Sequence, residues 1–348
     1  MKTSSQHSTV RLALVGVGGH GHTLQDAIAD TDAAEMRTVF DVDQAALDEA
    51  ANRFGVDPAS SYEDVLRRDD VEAIVIATPN ALHRRHTEAA FEAGFHVLLE
   101  KPIANSVSDG RAIVEAAEDA GRLLMVGHDM RRSRVARRTK RALQEGVLGK
   151  VVSMEIHFST DTAMHLNENS WRLESDGRSL LPMVQLGIHG VDLVQYFFEP
   201  METVYAEARS ITTPPKVMDS VAATFRTRDG IHGTMISNYC SKATFEYRIS
   251  GTLATLQSSG HTLRIQKQQG AAEHGEETTR IEDYSDHTHE SYARELEAFA
   301  QAVQGHAEIE TDGWTGLQAI AVVEALQRSV ETETSQAVSD VCAEPTAA

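Results

Sequence analysis

The sequence predicts an α/β N-terminal part built on a doubly wound parallel sheet, followed by an α+β part with a large, open and mostly antiparallel sheet. Three observations carry this. Up to residue 127, apolar strand-like runs alternate strictly with helical stretches. A glycine-rich turn follows the first of those runs at once. Past Gly127 the alternation stops, and strands of period two take over.

The first run, Val10 to Val15, reads as a buried strand that enters Gly16-Val17-Gly18-Gly19-His20-Gly21, a G-x-G-x-x-G turn. A helix follows, with Leu24, Ala27 and Ile28 on one face. In such a turn Gly16 permits the tight bend, Gly18 lets a pyrophosphate approach the backbone, and Gly21 lets the helix pack on the strand. The helix N-terminus offers its N–H groups to the anion. A second strand, Arg37 to Asp41, ends in an acid twenty residues after Gly21. A dinucleotide-binding fold places there the carboxylate that holds the ribose hydroxyls.

Residues 44–54 read as an alanine-rich helix stopped by Gly55, and Tyr62, Val65 and Leu66 mark a short one. The run Ala73 to Thr78 is a buried strand ending in Thr78-Pro79-Asn80. A helix over 81–93 leads to the strand Phe95 to Leu99 and then to Glu100-Lys101-Pro102. One more helix over 107–120, stopped by Gly121, precedes a strand from Leu123 to Val126. Ligands bind such sheets at the carboxyl ends of the strands, the edge shared by Gly16, Asp41, Thr78, Glu100 and Gly127.

The boundary is expected at 128/129, with a second domain over 129–340. Seven basic residues between Arg131 and Arg141 suggest a helix. Strands are expected near 150–160, 203–211, 219–227, 231–239, 244–250 and 253–257, interrupted by a helix from Met183 to Phe198. Arg228-Asp-Gly230 reads as a hairpin turn. Residues 268–290 read as a polar surface loop, helices close the chain at 290–304 and 313–330, and the tail after 335 as disordered.

Composition narrows the partners. A net charge of −20 over 348 residues argues against nucleic acid and anionic membranes, which repel an acidic surface. No apolar stretch approaches the ~20 residues of a membrane span. The N-terminus lacks the apolar core of a secretory signal, and two cysteines make no disulfide framework, so a cytoplasmic home is expected. The 16 histidines include close pairs such as His20/His22 and His83/His86, but no carboxylate or cysteine cluster completes a shell, so no metal is expected.

The glycine turn, Thr78-Pro79-Asn80 with His83, Glu100-Lys101-Pro102, Gln185-Leu-Gly-Ile-His189-Gly-Val-Asp192 and the Gly313 region occur in the order found in the Gfo/Idh/MocA oxidoreductases, and the chain resembles that family over nearly its whole length. The resemblance implies a Rossmann domain, an α/β domain with an open sheet, and NAD(P)-dependent oxidation or reduction of sugars, polyols or their derivatives. It also implies homodimers or homotetramers formed through the C-terminal sheet. It makes Lys101 and His189 the catalytic pair. Cofactor contacts would come from Gly16, Val17, Gly18, Gly19, His20, Gly21, Asp41, Thr78, Pro79, Asn80, His83, Glu100, Lys101 and Pro102. Substrate contacts would come from Arg131, Trp171, Arg172, Gln185, His189, Asp192 and Tyr239.

The chemistry suits those residue types. A lysine at a strand's carboxyl end can stabilise charge on a reacting oxygen, and a histidine can accept a hydroxyl proton near neutrality. Asp41 and Asp43 would repel a 2′-phosphate, so NAD is expected over NADP. Many family members carry an aspartate four residues before the histidine, where this chain has Gln185. Two other readings use the same residues: a lyase or glycosidase that oxidises transiently with held NAD and then eliminates, and a non-catalytic dinucleotide sensor.

Overall fold

A computed structural model describes residues 9–167, 170, 173, 179–268, 279–285 and 290–339. The chain forms two compact units. The first takes residues up to Arg132 and a later stretch ending at Leu317, and the second takes the rest. The expected linear boundary at 128/129 therefore falls at 132/133, and it is crossed a second time when the chain returns to the first unit.

The first unit is built on five strands: β1 (Val10–Val15), β2 (Ala34–Phe40), β3 (Ala73–Ile76), β4 (His96–Glu100) and β5 (Leu124–Gly127). They are parallel, in the order β2-β1-β3-β4-β5. Helices α1 (Gly21–Ala29), α2 (Gln44–Phe54), α3 (Tyr62–Leu66), α4 (His83–Glu92) and α5 (Val107–Ala120) connect them. Local chemistry sets the helix ends. Asp43, Ser61 and Ser106 cap α2, α3 and α5 by accepting main-chain N–H groups, whereas α1 has no side-chain cap. After α6 (Arg134–Gln144) and α7 (Ile188–Phe197) in the second unit, α8 (Glu290–Val303) returns to the first. Its Leu296, Phe299 and Ala300 share a buried cluster with Leu12 and Leu14 of β1 and Leu24 and Ile28 of α1. Burial of those side chains is what draws a segment so distant in sequence back to this sheet.

In the second unit, β6 (Val151–Ser159), β8 (Met201–Arg209), β10 (Ser220–Thr227), β11 (His232–Asn238), β12 (Thr244–Gly251), β13 (Ala254–Ser259), β14 (Thr262–Lys267), β15 (Thr279–Asp283) and β16 (Gln336–Ala337) form a nine-stranded sheet. Its order is β15-β14-β13-β12-β6-β11-β10-β8-β16, and only the β6–β11 pair is parallel. Two short strands, β7 (Ser179–Leu180) and β9 (Val217–Met218), pair separately. Burial alternates along β10 and β11, as period two requires: Val221, Ala223, Phe225 and Met235 are buried, and Ala222, Thr224, Arg226 and Thr234 exposed. The last helix, α9 (Gly313–Thr332), precedes β16.

Four expectations change. The polar stretch 268–290 contains the edge strand β15, whose residues are exposed or half-buried and so gave no apolar signal. Residues 336–337, expected to be disordered, pair with β8. The helix expected over 183–198 is a π-helical turn at Met183–Gly187 followed by α7. The basic stretch Arg131–Arg141 is a 3-10 turn at Asp129–Arg132 and then α6, restarted where Ser133 caps it. Nor is that helix a solvated basic face: Arg137 donates to the Tyr196 hydroxyl, Lys140 to the Tyr196 carbonyl, and Arg138 pairs with Glu282.

Candidate active site

The glycine turn of the first unit is held from within. Gly16, at φ +90°, donates its N–H to the Phe40 carbonyl, and a Cβ there would lie 2.6 Å from the Ala77 carbonyl oxygen. A Cβ on Gly21 would fall 2.2 Å from the Gly16 carbonyl oxygen, so α1 can start this close to β1 only on a glycine. The outer side is open: a Cβ on Gly18 would meet nothing nearer than 3.8 Å, and one on Gly19 nothing within 4 Å. An uncapped helix start behind an open glycine bend fits a dinucleotide pyrophosphate. Asp41, just past β2, points its Oδ2 at the turn and accepts from Val17 N at 2.8 Å and Gly18 N at 3.2 Å. Its Oδ1 takes the Asp43 N–H at 2.9 Å. Buried Gln25 of α1, not anticipated from sequence, donates to the Val17 carbonyl at 2.8 Å and pins the turn from the helix side.

Two strands away, Glu100 ends β4 with its side chain buried. Its Oε1 lies 3.3 Å from His20 Nε2, and its Oε2 accepts the Lys101 main-chain N–H at 3.2 Å. Burial pushes this carboxyl up, but His20 and Lys101 outweigh it and hold it below its usual value. Behind it, buried Asp129 accepts from the Ser291 hydroxyl at 2.8 Å. Burial raises the Asp129 carboxyl to about 6, the Ser291 bond opposes, and the Glu100 charge adds to the rise. Ser291 lies on α8, some 160 residues further along the chain, and no spacing in the sequence links it to Asp129.

His83 was expected to touch cofactor. It is 1% exposed, with Nδ1 2.9 Å from the Pro102 carbonyl oxygen and Nε2 2.9 Å from that of Thr78. It therefore braces the two turns at this sheet edge from behind, without reaching their open side. Burial keeps it neutral by lowering its pKa, so it donates to one of those carbonyls at a time. Arg131 and Arg132 are both buried, and Arg132 pairs with Glu310 at 3.1 Å.

In the second unit, α7 is buried on nearly every side and carries two buried polar residues, His189 and Asp192, at 7% and 1% exposure. Such groups are rare inside an apolar helix and cost free energy unless they have a task or a partner. The Phe158 ring centroid lies 6.0 Å from that of His189. In the π turn before α7 the Ile188 N–H reaches back five residues to the Met183 carbonyl. Gln185 sits in this widened turn, so its offset from His189 is not that of a regular α-helix. Turns of this kind cluster at functional sites. Tyr239 is buried in a small apolar cluster with Leu181, Leu186 and Val217. Trp171 and Arg172 lie outside the described residues. The buried Asp219, also unforeseen, accepts from the main chain of Ile211, Thr212 and Thr213 and from the Thr212 hydroxyl. Burial would raise it, but these donors hold it below its usual value. Among the described residues, no group of three or more histidine, cysteine or acidic side chains could hold a metal ion.

A doubly wound parallel sheet, a glycine turn open to an anion and a carboxylate at the end of β2 define a dinucleotide-binding protein. The oxidoreductase family Gfo/Idh/MocA, described by its NAD-binding Rossmann fold, matches residues 10–128, and its C-terminal α/β domain matches residues 140–338. The chain belongs to this family and is an NAD(P)-dependent oxidoreductase. It is 27% identical over 280 residues to a 1,5-anhydro-D-fructose reductase of Ensifer adhaerens, covering 78% of this chain and 81% of the relative. It is 28% identical over 305 residues to D-xylose 1-dehydrogenase (NADP(+)) 2 of Haloferax volcanii, covering 86% and 90%. A levoglucosan dehydrogenase solved with NADH and L-sorbose shares the fold, with a TM-score of 0.88 at 20% identity over 96% of this chain and all of that one.

Proposed function

We propose that this protein is an NAD-dependent dehydrogenase that oxidises a hydroxyl-bearing carbon of a sugar, polyol or sugar derivative, with Lys101 and His189 as catalytic residues. The observation that carries the reading is the buried Glu100 carboxylate, which holds the Lys101 main chain at the carboxyl edge of the parallel sheet that also bears the open glycine turn. The relatives named for sugar oxidation and reduction support the substrate class and favour net redox over elimination.

The dinucleotide, when bound, takes up or returns the hydride. Lys101 orients the substrate oxygen and stabilises the charge that grows on it. His189 accepts the hydroxyl proton in oxidation and returns it in reduction. Asp192, one helical turn further, binds substrate hydroxyls. Asp41 fixes the preference for NAD: its carboxylate, anchored by Val17 N and Gly18 N, holds negative charge where a 2′-phosphate would lie. The Haloferax relative is named for NADP(+), so the proposed preference rests on this chain's own residues and not on the family. We further propose a cytoplasmic homo-oligomer that joins through the exposed face of the nine-stranded sheet, where Val152 and Ile236 lie open. Among the described residues no helix is long and apolar enough to cross a membrane.

The test is initial rates across a panel of sugars and polyols with NAD and with NADP. Accumulation of NADH with product and a higher kcat/KM for NAD support the proposal. Product with no net redox change would restore the elimination reading, and equal use of NADP would remove the role given to Asp41.

A further inference from the structure

One side chain of the glycine turn has a task that the fold alone does not require. His20 occupies the N-cap position of α1 with helical backbone angles and makes no capping bond. Its Nε2 turns instead to Glu100 Oε1, 3.3 Å away. Because Glu100 Oε2 takes the Lys101 N–H, one carboxylate joins the turn after β1 to the turn after β4. Gly127 makes room for that carboxylate: a Cβ there would lie only 3.0 Å from Oε1 and 3.3 Å from Oε2. The Tyr292 ring of α8 stands edge-on to the imidazole, with centroids 5.4 Å apart.

We propose that His20 is a positioning residue for Lys101 and for the dinucleotide: in its charged form it draws on Glu100 and locks the glycine turn to the Glu100-Lys101-Pro102 turn, and loss of that charge releases both. The inference rests on the reading of Lys101 given above. The groups that face His20 come from three elements: Glu100 and Lys101 at the end of β4, Asp129 after β5, and Tyr292 on α8. Burial opposes the imidazolium, but Glu100 outweighs it with help from Asp129 and against Lys101, so the histidine titrates above its usual value. Burial, Asp129 and Glu100 hold the Tyr292 hydroxyl neutral, so it does not compete as an anion. When His20 loses its proton, a buried carboxylate loses one of its two cations beside the seat for the pyrophosphate. Both the desolvated charge and the like-charge approach then disfavour the cofactor.

NADH dissociation constants, measured by fluorescence titration from pH 6 to pH 9, test this in wild type, His20→Asn and His20→Lys. Wild-type affinity should fall about two- to thirtyfold as pH rises, the range for one charge at a helix end. His20→Asn should bind weakly throughout with no such fall. His20→Lys, which keeps its charge, should stay tight to pH 9. An unchanging wild type, a His20→Asn protein that follows the wild-type curve, or a His20→Lys protein that weakens as wild type does would each overturn the proposal. The reading of Lys101 is judged separately, by turnover of Lys101→Ala; its failure would leave the NADH titration unaffected.

Discussion

Lys101 and Asp129 belong to one cluster but answer to different forces. Lys101 matters for charge that develops during reaction, so its removal should affect the transition state more than the ground state. Lys101→Ala is expected to lower kcat by about 10²–10³-fold, the cost of deleting one such donor, while NADH still binds and the folding transition is kept. Stopped-flow rates beside equilibrium titration check both halves. Asp129 affects stability. Its carboxyl rises from 3.8 unfolded to about 6 folded, so between those values the folded state holds the extra proton. Stability falls as pH rises through that window, and the loss, on the order of 3 kcal/mol, is complete above about pH 6. Asp129→Asn keeps an acceptor for Ser291 and escapes the loss. Its urea midpoint should gain on wild type between pH 4 and pH 7; a constant difference would show that the carboxyl titrates normally. At this scale the sequence was legible wherever chemistry is written in a short motif, as in Gly16 to Gly21 or Glu100 to Pro102. It was silent on Gln25, Ser291 and Tyr292, whose roles depend on distant residues that only packing brings together. His83 was read at the right sheet edge, but its contacts with the Pro102 and Thr78 carbonyls were not, because a spacing does not say which way a ring faces.

At the scale of elements, α1 shows how one missing atom fixes a helix. Gly21→Ala would set a Cβ against the Gly16 carbonyl oxygen, which is backbone and cannot turn aside. The helix must then shift outward from β1, and its N-terminal N–H groups move with it. The variant should melt several degrees lower and bind NADH at least about tenfold more weakly, with a loss of 1.4 kcal/mol or more at the anion seat. Calorimetry and titration together check this; a normal dissociation constant would mean that the turn tolerates the shift. Strands and helices with strong periodicity were legible: α2 and α5 begin and end where their caps and glycines place them. The elements missed were those without periodicity. β15 is an exposed edge strand with no alternation to read, β16 is two residues long, and the π turn before α7 differs from an α-helix by one residue in a run that is mostly apolar.

For the whole molecule, the first unit is made from two stretches of chain, and the second stretch supplies core. Leu296, Phe299 and Ala300 close the cluster over β1 and α1, and Ser291 meets Asp129. A fragment ending at Arg132 would leave Leu12, Leu24 and Ile28 without part of their cover. It is expected to be poorly soluble and to lack a cooperative melt, whereas the full chain should unfold cooperatively; circular dichroism on both constitutes the check. Synthesis proceeds from the N-terminus, and the ribosome delivers α8 and the start of α9 only about 185 residues after the rest of this unit has emerged. At about 5–20 residues per second, the nascent sheet waits roughly 10–40 s with its apolar cover incomplete. During that interval the newborn chain is at its most dependent on chaperones, and its glycine turn lacks the tyrosine and serine that complete its surroundings. The cofactor seat is thus finished only after most of the second unit has been made.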